Sequence, residues 1–466
     1  MNHLCSKGQD HAAGHLLGDV GGPLFLTPLI EAGQLDKALN LSRVGPLYTG
    51  ADLLSYAGFL TINKDFSSNI FFWFFPARPL PKPAFRFAQE NPAVAPVVLW
   101  LQGGPGGSSM FGLFMEHGPY RVDKGGILRL RNATWAHRYS MLYVDNPVGS
   151  GFSFTWDERG YARDTRDVAR SLNEALQQFF TLFHRYAAND FYVAGESYAG
   201  KYVTALANLI DTTIHGRVNI NLRGIAVGNA WLDPETMLDY SEFLYQVGLV
   251  DRRQADYIRR RTDRVIGLIR HGRFEDAYEV MDLLMGGFTT STSYFRNVSG
   301  VDAPYNFLLG ESKTKKQLDL YRSYLERHEF RQAVHLGNVA FNSGRDAASH
   351  LLCDVMRTVK PSFAALLERN YKVLVYSGQL DAVVPYPLTE NFLATLHWSG
   401  AEALDAARRR VWRTSASNGS AVAGYVKKAG NLLEVMVRDA GHFVPYDQPD
   451  VALDMISRFI DGAPFD

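Results

Sequence analysis

The stretch FYVAGESYAGKY, Phe191 to Tyr202, holds a serine whose setting could do chemistry. Ser197 lies in Gly195-Glu196-Ser197-Tyr198-Ala199-Gly200, after an apolar run and before Val203, Leu206, Leu209 and Ile210 at helical spacing. A serine lifted clear of a sheet on a strained strand-to-helix turn needs small neighbours, because the turn brings the two backbones together. The pattern departs by one residue from G-x-S-x-G, with alanine in the last small position. Taken alone, it reads more readily as a structural Gly-Ser turn.

Two distant residues change that weighting. Asp381 stands in YSGQLDAVVPY and His442 in VRDAGHFVPYDQP, each just after an apolar run. Ser197, Asp381 and His442 follow the chain order of α/β-hydrolases, with each member on a loop at the end of a strand, where such sheets hold their ligands. These residue types suit nucleophilic catalysis: the imidazole takes the serine proton and the carboxylate orients the imidazole. A fourth element, LWLQGGPGGSS, places Gly103-Gly104 after a strand upstream of the serine. Backbone N–H groups of Gly104 and Tyr198 could there stabilise an oxyanion, although the same residues alone could form a plain Gly/Pro turn.

These residues need a sheet to position them. Val97–Leu101, Ser140–Asp145, Phe191–Gly195, Arg223–Asn229, Tyr371–Gly378 and Leu432–Ala440 are short runs apolar on both faces, as in the buried strands of a largely parallel sheet. SYAGFLTI and NIFFWFFPA alternate around a turn, as an antiparallel hairpin edge does. RDVARSLNEALQQFFTLFHRY has helical spacing, so the expected fold is α/β with helices on both faces. From Asn229 to Tyr371 the chain runs roughly 140 residues where a crossover needs about a dozen; this reads as a cap insertion over one end of the sheet. The expected division is an N-terminal extension (1–45), a core from 46–234 and 356–466, and a cap insertion (235–355).

Composition excludes several classes. Among 466 residues, Lys plus Arg equals Asp plus Glu at 48 each, so no bulk attraction to nucleic acid or anionic lipid is expected. Arg259-Arg260-Arg261 and Arg408-Arg409-Arg410 are interleaved with acids and read as solvated helix faces. No apolar run reaches the ~20 residues of a membrane span, and the first residues lack the layout of a secretory signal. The other histidines, His11 and His15 included, lack Glu or Cys at metal-ligand spacing and are expected on the surface. Neither metal nor cofactor is expected. Cys5 and Cys353 allow at most one disulfide, whereas sequons at Asn40, Asn132, Asn297 and Asn418 suggest a secreted glycoprotein. The compartment stays open on composition.

The sequence resembles the serine carboxypeptidases, and among them the vitellogenic-like branch. The motifs are WLQGGPGGSSMFGLFMEHGPY, YVDNPVGSGFSF, GESYAGKY, GQLDAVV and GHFVPYDQP, spread over nearly the whole chain. The resemblance implies an α/β-hydrolase fold and a serine exopeptidase acting at acidic pH on peptides or proteins with a free C-terminus. It also implies that Glu116 and Glu196 form a carboxyl pair which, with Gln102 and the backbone of Gly103, holds the substrate's terminal carboxylate. Two close carboxyls cannot both ionise cheaply, so one proton is retained. A secretory or lysosomal setting is implied as well, and a homodimer is compatible with it. Two departures stand out: Gln102 replaces the family's more usual asparagine, one methylene shorter, and the disulfides of many relatives are absent, so that the cap is expected to hold by packing alone. An esterase or acyltransferase of the same fold, or a non-catalytic binding protein, are the rival readings.

Overall fold

The computed structural model describes residues 21–47, 53–78, 92–213, 216–286, 292–309, 311–414 and 421–465. Cys5, His11, His15 and Asn418 lie outside them. One sheet organises the molecule. Its strands are β1 (Tyr56–Asn63), β2 (Ser68–Phe75), β3 (Val97–Leu101), β4 (Ser140–Val144), β5 (Phe191–Glu196), β6 (Leu222–Gly228), β7 (Lys372–Gly378), β8 (Arg410–Arg413), β9 (Val422–Ala429) and β10 (Leu432–Val437). Their order in space is β1-β2-β4-β3-β5-β6-β7-β10-β9-β8. The six central strands from β4 to β10 run parallel, while β1-β2 on one flank and β9-β8 on the other are antiparallel.

Successive strand residues point to opposite faces, and both faces are buried, so each apolar run feeds two cores. Val97, Leu99 and Leu101 belong to one, Val98 and Trp100 to the other. Helix α1 (Thr165–Leu182) covers the first face: its carboxylate cap, Asp164, accepts from the N–H groups of Arg166 and Asp167, and Phe179 packs edge-on against Phe72 and Phe74. Helix α2 (Ala199–Thr212) packs on the same face through Val203 and Leu206. The C-terminal helix Pro449–Asp461 covers the second face with Leu453, Ile456 and Phe459.

Two features differ from the sequence reading. Strand β2 does not alternate, since all eight of its residues are buried; β1 is the outermost strand of the hairpin, and its outer side is covered by bridges from Phe25 to Phe59 and from Arg43 to Tyr56. The Arg408–Arg410 cluster is no helix face, because Arg410 opens edge strand β8, and Arg409 lies over the Tyr425 ring of β9 at 4.1 Å. Exposed charge on an edge strand opposes pairing with another chain, and this short charged ribbon lacks the apolar run that marked the other strands. Arg259–Arg261 do lie on a helix, α3 (Arg252–Arg270), which with α4 (Phe274–Met285), α5 (Tyr294–Ser299) and α6 (Glu311–Leu325) falls between β6 and β7. The short helix α7 (Leu352–Val355) closes that interval against the core.

Candidate active site

Five neighbouring parallel strands end on the same side of the sheet, and each delivers a polar residue there. Gln102 and Gly103-Gly104 follow β3, Ser197 follows β5, Asn229 follows β6, Asp381 lies shortly after β7, and His442 shortly after β10. Ser197 takes up left-handed backbone (φ 61), a conformation that costs a non-glycine residue energy unless its surroundings fix it. Here they do: its N–H donates to Gly228 O (2.9 Å) and its carbonyl accepts from Trp231 N–H (3.0 Å). The small neighbours have a steric reason. A Cβ on Gly195 would lie 2.7 Å from Leu101 O and 2.9 Å from the Ala199 Cβ, and one on Gly200 would lie 2.6 Å from the Ala230 Cβ. Alanine fits at 199, and glycine is required at 195 and 200.

The residues after β3 close on this turn. A Cβ on Gly103 would lie 2.7 Å from the Ser197 Cβ and 2.8 Å from the Tyr198 N, so only glycine lets the two loops meet. Gly104, Tyr198, Ser197 and His442 all line one cavity of about 760 Å³, whose other walls come from the segment between β6 and β7 and from Phe111, Val383 and Phe443 on the core loops. Neither the Gly104 nor the Tyr198 N–H finds an acceptor among the described residues.

His442 is buried, and its Nδ1 donates to Asp381 Oδ2 at 2.7 Å. Asp381, with no exposed surface, is an acceptor on every side: Asn229 Nδ2 donates at 2.6 Å, Val383 N–H at 2.7 Å and Val384 N–H at 3.2 Å. With Nδ1 engaged, Nε2 is the nitrogen left for proton transfer. The histidine loop is braced from the cap: His442 N–H donates to Tyr305 O (2.5 Å), and Asp447 accepts from both Gly441 N–H and Asn306 Nδ2. Asn229 escaped the sequence reading, its one signal being a carboxamide directly after an apolar strand.

A second polar group lies beside the first. Glu116 ends a single π-helical turn, Gly112–Glu116, that packs so tightly on the Trp100 indole that glycine is obligatory at 112. Glu116 and Glu196, both fully buried, lie close enough to interact strongly, and two close carboxyls cannot both ionise cheaply, so the pair retains a proton. Gln102 reaches the pair despite its extra methylene: Nε2 donates to Glu196 Oε1 at 2.5 Å, while Oε1 accepts from the Trp100 indole at 3.0 Å. That indole contact fixes which end of the amide faces the acids. Apart from Gln102, no donor among the described residues serves them. Burial, outweighing those hydrogen bonds, pushes Glu116 up to about 8. Burial and then the charge of Glu116 hold Glu196 well above its ordinary value.

Two sequence expectations fail. His117 is not on the surface: it is buried, stacked on Trp135 at 4.0 Å and hydrogen-bonded to the Tyr143 hydroxyl, and burial drives its basicity well down. Nor does the cap hold by packing alone. Asp354 of α7 is buried against Lys201 of α2, with Nζ 2.9 Å from Oδ2, and the Trp231 indole donates to Val355 O. Charges buried without a partner are expensive, so such pairs occur where both members are fixed. Cys353 is exposed and has no disulfide partner among the described residues.

The fold and the strand-end site define an α/β-hydrolase. The chain matches the serine carboxypeptidase (peptidase S10) family over residues 46–462. It is 50% identical to human probable serine carboxypeptidase CPVL, covering 96% of this chain and 92% of that protein. It is 45% identical to the venom serine carboxypeptidase of Apis mellifera (96% and 92% covered) and 37% identical to the vitellogenic carboxypeptidase of Aedes aegypti (95% and 90%). The crystal structure of Kex1Δp, a prohormone-processing carboxypeptidase from Saccharomyces cerevisiae, shares the fold with a TM-score of 0.77 at 22% identity, over 91% of this chain and 96% of that one. The chain belongs to the serine carboxypeptidase family: it is a serine-type carboxypeptidase, a hydrolase of the exopeptidase class.

Proposed function

We propose that Ser197, Asp381 and His442 form the catalytic triad, and that Glu116, Glu196, Gln102 and the Gly103 backbone receive the carboxylate of the residue to be released. The observation that carries this reading is one cavity lined by Ser197, His442, Gln102 and Gly103, with Asp381 buried behind the histidine and the Glu116/Glu196 pair buried behind Gln102. Ser197 Oγ attacks the last peptide carbonyl while His442 Nε2 takes its proton; Asp381 holds the imidazole and stabilises its charged form. The N–H groups of Gly104 and Tyr198 receive the oxyanion. His442 then protonates the leaving amine, the C–N bond breaks, and the terminal amino acid departs. Water, deprotonated by the same imidazole, hydrolyses the acyl-enzyme.

An anion docks against two acids only if they retain a proton, and the raised Glu116 and Glu196 supply that condition at acidic pH. The clamp confines cleavage to the end of a chain. Incubating the purified protein with a blocked dipeptide at pH 5 is expected to release one free amino acid. Ser197→Ala is expected to abolish this, with turnover falling by about 10⁴-fold or more; release that survives in the variant removes Ser197 from the mechanism.

We place the enzyme in the secretory pathway, lysosomal or secreted. Asn40, Asn132 and Asn297 are exposed, as glycosylation requires, and one relative is named for venom. Among the described residues no helix is long and apolar enough to cross a membrane. A mass decrease on endoglycosidase treatment of the natively expressed protein tests this placement, and sedimentation of the same sample reads whether it forms a homodimer. We also keep the division into a core (46–234 with 356–466) and a cap (235–355), with residues 1–45 as an extension.

A further inference from the structure

The residue after the nucleophile is tied to the cap by one carboxylate. Asp354 of α7 accepts from the Tyr198 hydroxyl at 2.6 Å, from Lys201 Nζ at 2.9 Å, from Thr165 N–H at 3.2 Å and from the Thr165 hydroxyl. Lys201 also donates to the backbone carbonyl of Asp354. Four pieces of chain therefore meet at one buried point: the start of α1, the nucleophile turn, the first turn of α2 and the cap segment Leu352–Val355. Lys201 is entirely buried and Asp354 nearly so. Burial alone would raise Asp354, but the Lys201 charge and these hydrogen bonds outweigh it and hold it below its ordinary value.

The same short segment also shapes the substrate space. Val355 lines the cavity, and its carbonyl accepts from the indole of Trp231, another cavity residue, at 2.8 Å. Trp231 N–H in turn donates to the Ser197 carbonyl. Ser197 is strained, so its turn keeps its shape only through what grips it on either side. On one side are the backbone contacts to Gly228 and Trp231. On the other is the side chain of Tyr198, anchored at its far end by Asp354.

We propose that Asp354 is a positioning residue for acyl transfer: through the Tyr198 hydroxyl and Lys201 it locks the nucleophile turn, and the Tyr198 N–H with it, to the cap segment that walls the cavity. The proposal rests on the reading of Ser197 as the nucleophile of a peptidase, with the Tyr198 N–H as an oxyanion donor. An oxyanion hole works by being fixed before charge develops, so releasing one anchor is expected to lower kcat more than it raises KM.

The test compares Tyr198→Phe, Asp354→Asn and the double variant Lys201→Met/Asp354→Leu in the full chain, measuring kcat and KM on a blocked dipeptide, the rate of Ser197 labelling by a fluorophosphonate, and Tm. Tyr198→Phe removes one oxygen; it is expected to fold normally and lose about tenfold in kcat and in labelling rate, with KM within twofold. Asp354→Asn is expected to lose more and to melt earlier. The double variant, which removes both charges, is expected to regain Tm without regaining kcat. If Tyr198→Phe keeps wild-type kcat, or the double variant recovers kcat along with Tm, the cluster is only a strut and the proposal is wrong. Failure of the underlying reading looks different: the wild-type protein itself would then release no amino acid or take no label.

Discussion

Buried acids around the cavity are treated in two opposite ways. Asp381 and Asp354 are surrounded by donors, the first by His442, Asn229 and two backbone amides, the second by Lys201, Tyr198 and Thr165. Glu116 and Glu196 face each other, with one carboxamide for company. Burial is almost equal in the two groups, yet Asp354 is held below its ordinary value and Glu116 is pushed up to about 8. Desolvation sets the size of what is at stake, and the sign is decided by whether a neighbour brings a positive charge or another acid. One group is built to hold cations and N–H donors in place. In the proposed mechanism the other keeps a proton with which to greet an anion.

The sharpest way to break this contrast is Asp381→Asn. The carboxamide can donate to His442 and so favour the wrong tautomer; kcat is expected to fall by about 10⁴-fold while the protein stays folded. A small loss would mean that the acceptor role of Asp381 is dispensable.

The acid pair makes the next prediction. As the pH rises through about 8 the pair gives up its proton, and KM for free-carboxylate peptides is expected to climb by about twofold between pH 5 and 8 and by about tenfold at one pH unit above that. Esters and amides lacking a terminal carboxylate are expected to show a much smaller rise. Glu116→Gln/Glu196→Gln, which cannot ionise, is expected to flatten the profile; a KM that still climbs in that variant separates the effect from the pair.

Stability completes the set. Asp354→Asn strands a buried ammonium, and a loss of about 3–5 kcal/mol is expected in chemical denaturation, visible as a lowered Tm; an unchanged midpoint would show that Lys201 has another partner. The acid pair ties stability to pH. The folded protein holds the Glu116 proton more tightly than the unfolded chain does, so its contribution is complete below 4.5 and is lost as the pH climbs through about 8. Tm is expected to drop from pH 5 to pH 8 in the parent, and by less in Glu116→Gln/Glu196→Gln.

Much of this architecture is written locally. The six central strands carry apolar residues on both faces and end at polar loops, which is why Ser197, Asp381 and His442 could be picked out as residues on loops after strands. Edge ribbon β8-β9 was missed because its fitness comes from charge that discourages pairing, not from an apolar run. Asn229 and the Lys201–Asp354 pair were missed for another reason. Asn229 meets Asp381, and Lys201 meets Asp354, across some 150 residues of chain, and nothing in either local sequence marks the partner.

The sequence by itself determined the strand-loop-helix rhythm, the small residues that let the nucleophile turn form, and the residue types offered to the cavity, because sterics and side-chain period act over a few neighbouring positions. Only the tertiary structure decided what those residues are worth as acids and anchors. Whether Glu116 keeps its proton, which way the Gln102 amide points and what holds the cap to the core all depend on partners brought together by folding, since desolvation and charge act through space and not along the chain.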